Sequence, residues 1–193
     1  MKSINNTLEK WLNQLENFSL KDYEYFPDID LYMDQLITYL EREFQIYQTS
    51  SLDKLITPSM INNYVKGDVM ISPKAKKYNR EHMALIKEIM ILKQVLPLTE
   101  VKQILDLKYR SDDNANYQEI YNNFNKLVTE KNKLAINEAK EALANIEENN
   151  IDELTDLANN FALTAISYIN ISKRILFLRK LYELDQEEQK NEE

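Results

Sequence analysis

The chain has no cysteine among its 193 residues. A disulfide framework, a thiolate metal site and a cysteine nucleophile are therefore excluded. One histidine cannot build a histidine cluster, and one glycine cannot supply a glycine-rich phosphate loop or the dinucleotide fingerprint. Nucleotide-binding α/β folds are disfavoured for that reason, and no cofactor is expected. An apolar leader is lacking too: Met1 to Asn6 is polar and runs into a helical pattern, so a cytoplasmic protein is expected. What is present is a globular composition, 44% hydrophobic and 29% charged, with 24 basic against 32 acidic residues and a net charge of −8. The length suits one ordinary domain or two small ones sharing a core, not a large multi-domain enzyme.

Apolar residues at Leu8, Trp11, Leu12, Leu15 and Phe18 recur at steps of three and four and predict a first helix. After Pro27, Asp28 or Asp30 is expected to cap a second helix with an inward face of Ile29, Met33, Leu36, Ile37, Leu40 and Phe44. A pause follows at Thr49 to Ser51. Thr57-Pro58 then opens a short helix, because threonine can accept from orphan amides and proline at the first helical position has no amide to leave unpaired. Gly67 is expected to close it in a left-handed conformation. Asp68 to Tyr78 reads as an extended, hairpin-like excursion with a basic run. Asn79 caps a long helix to Leu96, stopped at Pro97, and another runs from Thr99 to about Tyr109.

Beyond the polar stretch Ser111 to Asn114 lie two long helical patterns, one from Tyr117 to Ile146 and one from Asn150, with Glu153 placed as in a capping box. The segment from Asp185 to Glu193 is expected to fray. Phe161 to Tyr182 is as long as a membrane span, but Lys173, Arg174, Arg179 and Lys180 would be costly at mid-bilayer. It is read as a buried helix, and no membrane partner is expected.

Charge is uneven. Residues 49–95 hold eight basic and four acidic side chains, a local +4, so the rest of the chain carries −12. Such a basic island suits a phosphate-binding surface, since neutralising phosphates releases counterions. On the Thr-Pro-opened helix, Met60, Ile61, Tyr64 and Val65 can face the core, leaving Ser59, Asn62, Asn63 and Lys66 outside. Asparagine can pair with adenine, serine with bases or phosphates, and lysine with phosphate.

The element order resembles a winged helix-turn-helix of the MerR type, which opens its recognition helix with a Ser-Pro or Thr-Pro pair. Thr57-Pro58-Ser59-Met60-Ile61-Asn62-Asn63-Tyr64 holds the place of that helix, and Lys76-Lys77-Tyr78 that of the wing. Leu92 to Val101 is similar to that family's turn into its next helix. Two departures are Asn62, where the family has an arginine, and a longer segment from Gln48 to Ile56. The strings Pro27 to Gln35, Thr57 to Lys66 and Tyr78 to His82 also resemble an uncharacterised bacterial domain-of-unknown-function family suspected of binding DNA, over residues 25–110.

Other clusters have plainer readings. His82 has no nucleophile or second histidine near it in sequence, so catalysis is not expected. Asp28, Asp30 and Asp34 fit helix capping and exposure better than a metal site. Tyr117, Tyr121 and Tyr168 could line a ligand pocket, although a core stripe is the commoner meaning. The reading is an all-α protein with a small wing: an N-terminal helix over 1–24, a MerR-like domain over 25–110 and a C-terminal helical region over 111–193. Its expected function is sequence-specific transcriptional regulation, not enzymatic catalysis. Double-stranded DNA would be bound by Ser59, Asn62, Asn63, Lys66, Lys74, Lys76, Lys77, Tyr78 and Arg80. The alternative is a protein-interaction module that keeps the helix-turn-helix frame without DNA. A homodimer through Tyr117 to Leu184 is expected, because a helix apolar all round must be covered all round. The rival cover is the N-terminal helix of the same chain. Any effector would be a small molecule entering beside the C-terminal tyrosines, or another protein.

Overall fold

A computed structural model describes residues 3–48, 54–110 and 115–192. The pause at Thr49 to Ser51, the polar stretch Ser111 to Asn114 and most of the segment added between the first two domain helices lie outside them.

The chain is all-α apart from one small sheet. Helix α1 (Ile4–Glu16) is followed by a 3-10 turn (Tyr23–Tyr25), strand β1 (Leu31–Tyr32) and helix α2 (Met33–Phe44). A second 3-10 turn (Gln45–Tyr47) precedes α3 (Pro58–Lys66), β2 (Lys77–Tyr78), α4 (Arg80–Leu92) and α5 (Leu98–Tyr109). Two long helices, α6 (Tyr117–Leu143) and α7 (Ile151–Glu192), complete the fold.

The second helix starts later than the aspartates suggest. Leu31 and Tyr32 are drawn into antiparallel pairing with Tyr78 and Lys77, so α2 cannot begin until Met33. The Gln35 side chain accepts the Tyr32 N–H at 3.0 Å, and Ile29 is exposed instead of facing inward. Leu36, Leu40 and Phe44 do form the inward face. Helix α4 ends at Leu92, four residues before its expected end, and the following turn brings Pro97 to the start of α5.

The helix buried on all sides is α4. Every residue from His82 to Met90 is buried, including Lys87 and Glu88. Around it Leu36, Leu40, Phe44, Ile61, Tyr64, Val101 and Leu105 form the main core, which continues into α6 through Tyr121. A smaller cluster joins Leu12 and Leu15 of α1 to Ile136 and Leu143 at the far end of α6. The polar linker between α1 and α2 is fixed to the first half of α6: Asn125 donates to the Leu20 carbonyl at 2.9 Å, and Asn122 accepts the Tyr23 N–H at 2.9 Å.

Helix α7 overturns the expectation of a buried helix. Ten large apolar side chains between Leu163 and Leu184 are 44 to 69% exposed. Only one side of the helix is half-buried, through Leu154, Leu157, Phe161, Ile169 and Leu176. The N-terminal helix does not cover the rest, because its buried residues Leu12 and Leu15 pack on α6 and meet only the start of α7 at Leu154. By length and composition Ile151–Gln186 passes as a membrane span, with a mean hydropathy of 1.3 in its most apolar window. The helix continues through the acidic tail to Glu192.

Candidate nucleic-acid interface

Helix α3 forms where the sequence places it. The Thr57 hydroxyl accepts the Met60 N–H at 3.2 Å, and Pro58 occupies the first turn. Ile61 and Tyr64 are buried, Met60 and Val65 half-buried, while Ser59, Asn62, Asn63 and Lys66 are all exposed. Lys93 reaches from the end of α4 to the Tyr64 hydroxyl at 3.0 Å, tying α3 to the core from behind.

Gly67 ends the helix by a different means from the one its type suggests. Its φ is −80°, and the left-handed residue is the next one, Asp68, at φ 52°. A Cβ there would stand 3.1 Å from the Asn63 carbonyl oxygen, which accepts the Gly67 N–H at 2.9 Å, so a side chain would press that carbonyl back by a few tenths of an ångström. Asp68 is then held by Lys102 at 2.9 Å and Arg110 at 3.0 Å, and these keep its carboxyl below the usual range.

The excursion closes as a tight turn. The Lys77 N–H donates to the Lys74 carbonyl at 2.9 Å, with Ala75 and Lys76 between them at φ 50° and 61°. Two successive left-handed residues define the hairpin turn that matches strand twist, a place usually taken by asparagine and glycine. Lys74 and Lys76 are exposed at this tip. Lys77 is half-buried, with its ammonium 5.3 Å from the centre of the Tyr32 ring. Sequence reasoning passed over Tyr32, since its contact depends on a strand pairing that spans 45 residues and leaves no local signal.

Two residues of the expected set are engaged within the fold. Tyr78 is 3% exposed and packs edge-to-face on His82, so its ring is in the core and not open to a base. Arg80 donates to the carbonyls of Phe26 at 3.0 Å and Pro27 at 3.3 Å and pairs with Asp28. It anchors the strand-preceding loop. The basic island shrinks accordingly, because Lys87 is fully buried and Lys93 is occupied by Tyr64 and the Leu55 carbonyl. Among the described residues no ion pair engages Lys66, Lys74, Lys76 or Lys77.

His82 serves the start of α4. Its N–H donates to the Asn79 side chain at 3.1 Å, and its Nδ1 accepts the Asn79 N–H at 3.2 Å, while burial pushes its pKa below the ordinary value. Among the described residues no group of histidine and carboxylates is placed to hold a metal.

Residues 21–124 match a protein family described as a domain of unknown function, DUF1836. The chain belongs to the DUF1836 family. The DUF1836 match takes in α2 to α5, both strands and the first two turns of α6, so every residue of the candidate interface lies within it. Comparison with curated proteins and with solved structures yields no match. Two of the three tyrosines follow the core reading and the alternative, a tyrosine-lined pocket, does not assemble in this DUF1836 chain: Tyr121 is fully buried, Tyr117 packs on Tyr109 at 4.7 Å and Tyr168 lies exposed on α7. Two apolar grooves lie under α7 instead. One of about 680 Å³ runs between Trp11, Ala139 and Phe161, and one of about 500 Å³ between Leu96, Ile104 and Ile169.

Proposed function

We propose that this chain is a sequence-specific DNA-binding transcriptional regulator with a MerR-like winged helix-turn-helix, α3 being the reading helix and the Lys74–Lys77 turn the wing. The observation that carries this reading is the outer face of α3, where Ser59, Asn62, Asn63 and Lys66 are exposed together with no acidic residue on the helix. Two asparagine amides suit adenine edges in the major groove, and Lys66 suits a phosphate. The order of elements supports it: a strand, two helices, a basic turn, a strand paired to the first, and a central helix. Lys74 and Lys76 at the turn's tip, with Lys77 behind them, would hold phosphates beside the groove. Tyr78 and Arg80 act from within, fixing the base of the wing. A homodimer would present two such helices to a two-fold site.

Selection of bound duplexes from random DNA tests this reading, followed by titration of the winning duplex in salt. Replacing Lys66, Lys74 and Lys76 by alanine is expected to weaken binding to all sequences and flatten the salt slope by about 0.9 for each phosphate no longer neutralised. Asn62→Ala and Asn63→Ala are expected to relax preference at particular bases, at about 1 to 3 kcal/mol for a bidentate pair of hydrogen bonds. No enrichment, or a salt slope unmoved by the lysine changes, overturns the assignment and favours an interaction module that keeps the frame without DNA.

A further inference from the structure

We infer that the outward face of α7 is the interface with a second copy of this chain, the two helices packing antiparallel about a two-fold axis near position 165. The inference does not rest on DNA binding.

A line of exposed residues runs along α7 on the side away from half-buried Phe161: Asn159, Leu163, Ile166, Asn170, Arg174 and Phe177. Their steps of three and four keep them on one face. Leu163, Ile166 and Phe177 are each more than half exposed, exposed Leu181 continues the line, and Leu178 stands on its flank. An apolar surface of this extent marks a contact site.

The sequence of the helix identifies the occupant. No charged residue occurs from Leu157 to Ser172. Asp152, Glu153 and Asp156 precede that stretch, and Lys173, Arg174, Arg179 and Lys180 follow it. The middle of the uncharged stretch falls between residues 164 and 165. The midpoint between Asp156 and Arg174 is 165, and between Asp152 and Lys180 it is 166. Leu163 with Ile166, and Asn159 with Asn170, are both centred between 164 and 165.

Reversal about that point therefore sets Leu163 against Ile166 of the partner subunit. It also sets Asn159 against the partner's Asn170, and the acidic start of one helix against the basic end of the other. Each relation occurs twice, as a two-fold axis demands. Paired asparagines within an apolar seam fix register, because a slipped helix would leave them against hydrocarbon. A parallel pair would instead put Asp156 beside Asp156 and Arg174 beside Arg174, so like charges disfavour it.

The absence of cysteine makes the geometry directly readable. Light scattering of the unaltered chain is expected to give twice 22.9 kDa. Under mild oxidation Ile166→Cys should form a covalent dimer, since the two thiols meet near the axis. Leu181→Cys should not, because two residues 16 positions from the axis lie about 48 Å apart along antiparallel helices. Charge reversal supplies a check with the apolar face intact. The pair Asp152→Lys, Asp156→Lys and the pair Arg174→Glu, Lys180→Glu should each weaken self-association about tenfold or more, and mixing the two variants should restore it. A mass of 22.9 kDa overturns the proposal, whether or not that monomer floats with phosphatidylcholine–phosphatidylglycerol vesicles. Crosslinking of both cysteine variants, or of Leu181→Cys alone, overturns the antiparallel arrangement.

Discussion

Lys87 and Glu88 are adjacent, both fully buried, and held by different partners, Lys87 by residues of α2 and Glu88 by residues of α5. The Lys87 ammonium meets Glu43 at 2.8 Å, the Tyr39 hydroxyl at 3.1 Å and the face of Phe26 at 3.8 Å. Glu88 takes Lys108 at 3.4 Å and the Tyr109 hydroxyl. Removing one member of a buried pair strands the other, so Lys87→Met is expected to lower stability by about 3 to 5 kcal/mol in urea unfolding. Adding Glu43→Gln should recover most of that loss, and a double variant no better than the single one would show that Glu43 is not the stranded group. Burial, partly offset by Glu43, brings the Lys87 pKa from 10.5 down to about 8. Between those values the unfolded chain binds more protons than the folded one, so stability should rise with pH from about 8. Above pH 10 the slope reverses. Burial lifts Tyr39, Tyr64, Tyr109 and Tyr121 above the ordinary 10.0, so the unfolded chain loses their protons first. Denaturation midpoints across pH 7 to 11 should trace that maximum in the parent and lose its rising limb in Lys87→Met. None of this was legible in the sequence, because a lysine within an apolar run reads as surface until its carboxylate, 44 residues away, is placed beside it.

Helix beginnings were the most readable features. Thr57 before Pro58 and Asn79 before Arg80 cap as their side-chain chemistry requires, since the interaction spans three residues and needs nothing distant. Thr57→Ala should therefore cost about 1 kcal/mol in thermal or urea unfolding and weaken α3 first. The small sheet was less readable, because the pairing of Leu31–Tyr32 with Lys77–Tyr78 has no counterpart in local spacing, and it displaced the expected start of α2. The turn at its end carries a local cost that the sequence also conceals. Ala75 and Lys76 hold left-handed backbone without being glycine, which costs roughly 1 to 2 kcal/mol each. Ala75→Gly should raise the melting temperature, and an unchanged or lower one would mean that the methyl group contributes packing that offsets the strain. For α7 the apolar pattern was legible as a demand for cover, but periodicity does not say which surface answers it. That is why a helix expected inside lies mostly outside the single chain.

Assembly through α7 would make stability depend on concentration, since a partner that binds only the folded chain shifts unfolding by mass action. The apparent melting temperature should climb as protein is raised from micromolar to tens of micromolar, and Ile166→Glu should abolish the climb. The family match ends at residue 124, but the fold does not divide there. Helix α6 passes unbroken from Tyr121 and Phe124 in the main core to Ile136 and Leu143 against α1. Both hydrophobic clusters draw residues from this one helix, so they should be lost in a single cooperative event. Trp11, the sole tryptophan, sits on α1 beside the smaller cluster, and most of the helix lies elsewhere. Its fluorescence therefore reports the far end of α6 and the far-ultraviolet circular dichroism the helices as a whole, and their unfolding curves should superimpose.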